Sequence, residues 1–142
     1  MAMSYSRNGI TPNRLITTLY AKKDILDAAM EKAGYHAAYE IMQKSIALTP
    51  VDEGHLEEAH HIVERNTRKG NFAYDVEVSG NESDLYADWI HEGPYNLGPL
   101  SLAKAAATGA DVGPRFLERA FDEVKPQAIA EFRRIVKEFA GK

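Results

Sequence analysis

The segment Thr49-Pro50-Val51-Asp52-Glu53-Gly54-His55-Leu56 separates a long helical pattern from the strand patterns that follow it. Pro50 disfavours the helical conformation at the residue before it and so ends the first helix. Asp52 can cap a following turn, and Gly54 can adopt backbone angles that a residue with a side chain avoids. The segment therefore predicts a corner at which the long helix turns onto a sheet, with Leu56 in the core.

Two long helical patterns lie on either side of the predicted sheet. In residues 22–48, apolar residues recur at helical spacing, which indicates one long helix. Thr11 and Pro12 resemble a helix start and predict either a short separate helix or an arm over residues 11–19. The last helix is expected to open at Pro114 and to kink or restart at Pro126, because proline has no backbone donor.

The sheet is predicted from two short patterns between these helices. Residues 60–65 contain the β-branched pair Ile62 and Val63, and residues 72–79 alternate apolar with polar side chains. The sequence therefore predicts an α+β fold, in which a long N-terminal helix and a long C-terminal helix pack on a small antiparallel sheet. Because two strands alone are marginally stable, further pairing within the chain or between copies is expected.

A short helix and a long loop are expected between the second strand and the last helix. Ser83 or Asp84 is the predicted cap of the short helix. Residues 93–113 contain repeated glycine and proline and predict a long loop, part of which, residues 101–107, could form a helical turn. The short helix carries its apolar residues on one predicted side, namely Leu85, Tyr86, Trp89 and Ile90.

Length and composition indicate a single domain over residues 1–142, with residues 1–10 as a flexible N-terminal arm. The chain has no cysteine, which excludes disulfides and thiolate chemistry. The first residues lack the apolar core of a signal peptide, and no apolar run approaches the roughly 20 residues that span a bilayer. We therefore expect no contact with a membrane.

Charge is unevenly distributed along the chain. Residues 70–103 contain acidic side chains but no lysine and no arginine. Residues 115–142 carry seven basic side chains against five acidic ones. Copies with an acidic middle and a mildly basic end could pair head to tail, although two ordinary solvated faces would give the same pattern.

Histidines near the corner are the only candidates for chemistry. His55, Glu58, His60 and His61 lie close together in sequence, beside Asp52. Their spacing matches neither helical zinc motif, and a solvated polar segment is the simpler interpretation. We assign no catalytic, cofactor-binding or metal-binding residue, and keep a metal-dependent hydrolase only as a distant alternative.

Three segments, read in order, resemble a family of tailed-bacteriophage proteins called minor tail components, neck proteins or tail-completion proteins. Residues 49–56 resemble its Pro-Val-Asp-Thr-Gly-x-Leu signature, with Glu53 in place of threonine. Residues 86–93 are similar to a Tyr-Ala-x-x-Val-Glu-x-Gly block with one extra residue, and residues 113–120 to a Pro-Phe-Leu-x-Pro-Ala block with Arg115 inserted. The matching residues are Pro50, Val51, Asp52, Gly54, Leu56, Tyr86, Ala87, Glu92, Gly93, Pro114, Phe116, Leu117 and Ala120.

The resemblance implies a virion structural protein at the head–tail junction, assembled in the host cytoplasm. Its members form rings of identical subunits, for example hexamers, that complete the tail end and contact other neck or tail proteins. Residues 93–113 would then dock a partner or face the DNA channel without binding DNA, and residues 96–108 would be dispensable for folding. A head-closure or connector adaptor of a phage or prophage is the main alternative.

Contact surfaces are predicted on the long helix and on the loop. Aromatic side chains are enriched at protein interfaces, and the loop combines apolar with small residues. The predicted contact residues are Tyr35, Tyr39, Tyr95, Asn96, Leu97, Leu100 and Leu102.

Overall fold

The structure, a computed structural model, describes residues 12–51, 54–65 and 72–140, with side chains from residue 23 onward. The predicted N-terminal arm over residues 1–10 lies outside the described residues. In chain order the elements are α1 (Pro12–Leu48), α2 (His55–Glu58), β1 (His60–Glu64), β2 (Tyr74–Val78), a 3-10 turn (Glu82–Leu85), α3 (Ala87–Glu92), α4 (Pro99–Thr108) and α5 (Phe116–Ala140). The predicted α+β architecture is confirmed: two long helices pack on a small two-stranded antiparallel sheet.

α1 begins at Pro12 and runs without interruption to Leu48, so residues 12–19 belong to it and do not form a separate helix, and Thr11 lies outside the described residues. Proline is well suited to a first helical position because the amide it lacks would have no partner there. α5 runs antiparallel to α1: Lys44 pairs with Glu123 near one end, at 3.1 Å, and Ala29 and Phe139 border one cavity near the other. At 1.5 Å per residue, α1 therefore extends about 20 Å beyond the end of α5.

β1 and β2 form an antiparallel hairpin in which His60 lies opposite Val78 and Ile62 opposite Val76. On the outer face, the Arg65 guanidinium donates to Asp75 at 2.7 Å and also to Glu77. The hairpin packs against α1, where the ring of Phe72 lies directly over Gly34. Both predicted strands are therefore present.

α5 differs from prediction at its start and at its proline. It begins at Phe116 rather than Pro114, because Arg115 has a φ of 54° and cannot belong to a right-handed helix. It also continues through Pro126 without restarting. Pro126 and Asp122 are both exposed, so the Asp122 carbonyl that loses its helical partner can meet water.

Residues 93–113 are not one continuous loop, because they contain the ten-residue helix α4. Pro99 occupies the first turn of that helix, and Gly109 closes it with a φ of 72°. The glycines and prolines that predicted a loop are therefore the start and stop signals of a helix. Among the described residues, no helix is long and apolar enough to cross a membrane.

The predicted caps of the short helix are also wrong. The Asn81 side chain accepts a hydrogen bond from the Ser83 amide at 2.8 Å, and so caps the 3-10 turn. Asp84 instead accepts from the Gly80 amide, with both carboxylate oxygens at 2.9 and 3.1 Å. The chain then bends at Tyr86, where φ is −139°, before α3 begins.

Candidate interaction surface

The three segments of the family resemblance meet in one hydrophobic cluster. Leu56 comes from the first segment, Ala87 from the second, and Phe116 and Ala120 from the third. These four side chains and Leu48 of α1 are all buried. Segments far apart in sequence thus form one structural unit at the C-terminal end of α1.

Backbone contacts hold the same segments together around that cluster. The Gly113 amide donates to the Leu48 carbonyl at 3.0 Å, and the Arg115 amide donates to the His91 carbonyl at 2.6 Å. Gly93 has a φ of 62° and lies so close to Pro114 that a Cβ on it would be 2.8 Å from the Pro114 Cβ. The second and third segments are therefore packed backbone against backbone.

Most signature residues are placed to serve the fold. Gly54 has the left-handed conformation predicted for it, with a φ of 84°, and Leu56 is buried as predicted. Asp52 lies outside the described residues, so its predicted capping role stays a prediction. Pro50, Val51, Tyr86, Gly93 and Leu117 are buried or half-buried, whereas Glu92 and Pro114 are exposed.

α4 is fixed to the corner after α1 by two polar side chains. Lys104 is largely buried, and its Nζ donates to the carbonyls of Ile46 at 2.6 Å and Thr49 at 2.8 Å and to the Glu57 carboxylate at 3.0 Å. Ser101 Oγ accepts from the Val51 amide at 2.9 Å and donates to its carbonyl. Because lysine satisfies carbonyls at a helix C-terminus, α4 stabilises the end of α1. The structure thus gives residues 96–108 a role in the fold that the sequence did not predict.

The histidines of the corner perform separate structural tasks. His60 is buried, with Nδ1 donating to the Leu56 carbonyl at 3.0 Å and Nε2 accepting from Ser45 Oγ at 2.8 Å. His55 pairs with Glu82 at 2.8 Å, and His61 with Glu77 at 3.5 Å. Among residues 12–51, 54–65 and 72–140, no three such side chains are grouped to hold a metal ion.

Burial lowers the pKa of His60 below its ordinary value of 6.5. The hydrogen bond to the Leu56 carbonyl acts in the opposite direction, and the nearby Lys104 cation adds to the lowering. The neutral imidazole is therefore the form that fits this site, since Nδ1 carries the proton and Nε2 accepts from Ser45. Ser45 is fully buried, so this Ser–His contact is closed to a substrate.

Four of the large exposed apolar side chains lie on the 3-10 turn, α3 and α4. Leu85 is 91% exposed and Trp89 is 63% exposed. The Trp89 ring lies 5.8 Å from the Tyr95 ring, and Leu100 and Leu102 are exposed on either side of the buried Ser101. Single exposed apolar side chains are common on protein surfaces, but several on neighbouring elements can mark an interaction site.

The predicted contact residues fall in two separate places. Tyr35 and Tyr39 are about half exposed on α1, where the Tyr35 ring packs edge to face with Tyr74 of β2 at 5.5 Å. Beyond α3, Asn96, Leu100 and Leu102 are exposed, while Tyr95 and Leu97 are half-buried in a small cleft shared with Trp89.

Sequence reasoning missed Leu85 and Trp89 as surface residues. A single helical face for residues 85–90 places both in the core, but the bend at Tyr86 breaks that face, and Ala87 and Ile90 pack inward instead. The sequence signal for their exposure is an acidic neighbour, because Asp84 directly precedes Leu85 and Asp88 directly precedes Trp89.

A second apolar feature is a groove of about 840 Å³ between α1, β2 and α5. Its floor includes Gly34 and Ala37 of α1, and the α5 wall carries Phe121, Ile129 and Phe132. The other wall is β2. In the hairpin register, the Ser79 amide donates to the Ala59 carbonyl. Alternate residues of β2, beginning with Val78, therefore direct their backbone N–H and C=O groups away from β1.

Comparisons with protein-family models, with curated proteins and with solved structures found no match for this chain.

Proposed function

We propose that this chain is a virion structural protein at the head–tail junction of a tailed phage, where it forms a ring that completes the tail end and contacts the head connector. The observation that carries the proposal is the meeting of the three resemblance segments around Leu56, Ala87 and Phe116. Three short likenesses scattered over a structure would have little weight. Three that pack into one core correspond to a single structural unit, as expected if the resemblance reflects a shared fold.

The exposed residues of α4 support the same proposal. Ser101 and Lys104 hold the helix on the body, so Leu100 and Leu102 are presented on a fixed element. A rigid element with exposed leucines suits docking to another neck or tail protein, because little conformational entropy is lost on binding. We therefore assign α4 to contact with a neighbouring protein of the particle.

The test is disruption of the gene for this chain in the phage or prophage that encodes it. Disrupting it should yield DNA-filled heads and separate tails, which electron microscopy of the lysate would reveal. Supplying the chain from a plasmid should restore joined particles. Joined, infectious particles in the absence of the chain would contradict the proposal.

The α4 assignment is tested by substitution rather than deletion, because removing Lys104 would also damage the corner. Leu100→Asp combined with Leu102→Asp should leave the fold intact and reduce the yield of joined particles at least tenfold. Ile25→Asp is the matched control, since Ile25 is a similarly exposed apolar residue on α1. Labelling of the protein in intact particles would separate a tail-end position from the alternative of a head-closure adaptor.

A further inference from the structure

The 3-10 turn and the adjoining α3 carry exposed acidic and apolar side chains. Leu85 and Trp89 stand among three exposed carboxylates, those of Asp84, Asp88 and Glu92. No lysine or arginine occurs between Lys69 and Lys104 in the sequence. Among the described residues, Asp88 has no hydrogen-bond or ion-pair partner. We call these five residues the acidic patch.

A complementary stripe lies on an exposed side of α5 and begins at Ile129 on the wall of the apolar groove. Ile129, Arg133, Val136 and Lys137 are separated by four, three and one residues, which places them on one side of the helix. Ile129 is 37% exposed and Val136 is 47% exposed. Neither Arg133 nor Lys137 has an ion-pair partner in the part of the chain that the structure describes, whereas Arg134 is held by Glu131 and Glu138. We call these four residues the basic stripe.

The two surfaces cannot meet within one molecule. α3 contacts the start of α5, where the His91 and Phe116 rings are 4.9 Å apart. Arg133 lies 17 residues further along the same helix, a distance of about 25 Å at 1.5 Å per residue. Each surface is therefore open to a partner of opposite charge from outside the molecule.

We infer that the basic stripe of one copy binds the acidic patch of the next. Each surface offers two exposed apolar side chains and at least two charges, and the charges of the two surfaces have opposite signs. A second copy of the chain therefore supplies a complement for either surface. Because the two surfaces differ, the contact is heterologous, and its repetition closes a ring when the rotation between copies permits. The contact rests on the proposed ring function, since it names the surfaces through which the ring subunits meet.

Paired charge reversals test this contact. One variant combines Arg133→Glu with Lys137→Glu, and the other combines Asp88→Lys with Glu92→Lys. Alone, each variant faces copies of itself with like charges and should sediment as a monomer at concentrations where the natural chain forms rings. Mixed in equal amounts, the two variants offer opposite charges at every contact and should regain the ring, as seen by sedimentation velocity and negative-stain microscopy.

The control is Lys23→Glu, which reverses an exposed charge nearer the start of α1, where Lys23 pairs with Asp27 of the same helix, and which should leave assembly unchanged. Recovery on mixing also shows that neither variant is misfolded. Rings formed equally well by either variant alone would overturn the contact and leave the proposed ring function standing, with the surfaces then assigned to other proteins. A natural chain that stays monomeric at every concentration would overturn the ring and this contact together.

Discussion

Gly93 is the point at which the second and third resemblance segments touch, and its backbone explains why glycine is needed there. Its φ of 62° and ψ of −163° lie in a region that is open essentially to glycine alone. A side chain would in addition run into Pro114.

We expect Gly93→Ala to lower the free energy of unfolding by about 1–3 kcal/mol from backbone strain alone, with the Pro114 contact adding to the loss. Urea denaturation measures the change. Gly109→Ala is the matched control, because Gly109 also has a positive φ but has open space around it. Its cost should be about 1 kcal/mol, so equal losses for the two variants would contradict the packing argument.

His60 makes stability depend on pH. Its folded-state pKa lies below 6.5 because of burial, whereas in the unfolded chain it takes its ordinary value. Between those two values the unfolded chain binds more protons than the folded chain, so stability must fall with falling pH. The stability from neutral His60 is thus complete above pH 6.5 and is lost as pH falls towards the lowered value.

Urea denaturation at a series of pH values from 8 to 5 measures this loss. The His60→Gln variant should be less stable at neutral pH and should lack most of the decline below pH 6.5. His36→Gln should keep the decline, because His36 is exposed and pairs only with Glu40 in the described structure. A decline of the same size in both variants would assign it to other groups.

At the scale of elements, α4 is attached to the body chiefly through polar contacts. Lys104 satisfies two carbonyls at the end of α1 and the Glu57 carboxylate. Removing one partner of such a set leaves the others buried without hydrogen bonds, which is costlier than losing an exposed ion pair.

Lys104→Met should therefore lower the free energy of unfolding by roughly 2–4 kcal/mol. Hydrogen exchange should accelerate in α4 and in the last turn of α1, while α5 keeps its protection. The control is Lys32→Met, a lysine exposed on α1, which should change neither property. Unchanged exchange in α4 of the Lys104 variant would show that other contacts hold this helix.

The elements that sequence predicts correctly are those whose signal is long and local. α1 and β2 each show the spacing of apolar residues that is typical of a helix or a strand, and Pro50 marks the corner without ambiguity. α4 is predicted only as a helical turn over residues 101–107, because glycine and proline mark both loops and helix ends, and its ten residues carry too few apolar side chains to decide between them. The contact between His60 and Ser45 and the outward position of Trp89 depend on tertiary geometry, which no local pattern encodes.

At the scale of the whole molecule, the described structure has two different ends. The hydrophobic cluster of the three resemblance segments lies with α3 and α4 at the C-terminal end of α1. The basic stripe lies towards the opposite end of α5. In the proposed ring, these two ends would make head-to-tail contacts, and the ring would have two distinct faces.

The N-terminal part of α1 extends beyond the end of α5. Among the residues whose side chains the structure describes, α1 meets α5 from about Ala29 onward, whereas the helix begins at Pro12. Adding or removing seven residues, about two turns or 10 Å, in α1 before Ala29 would therefore change how far the helix extends and leave its described contacts with α5 in place.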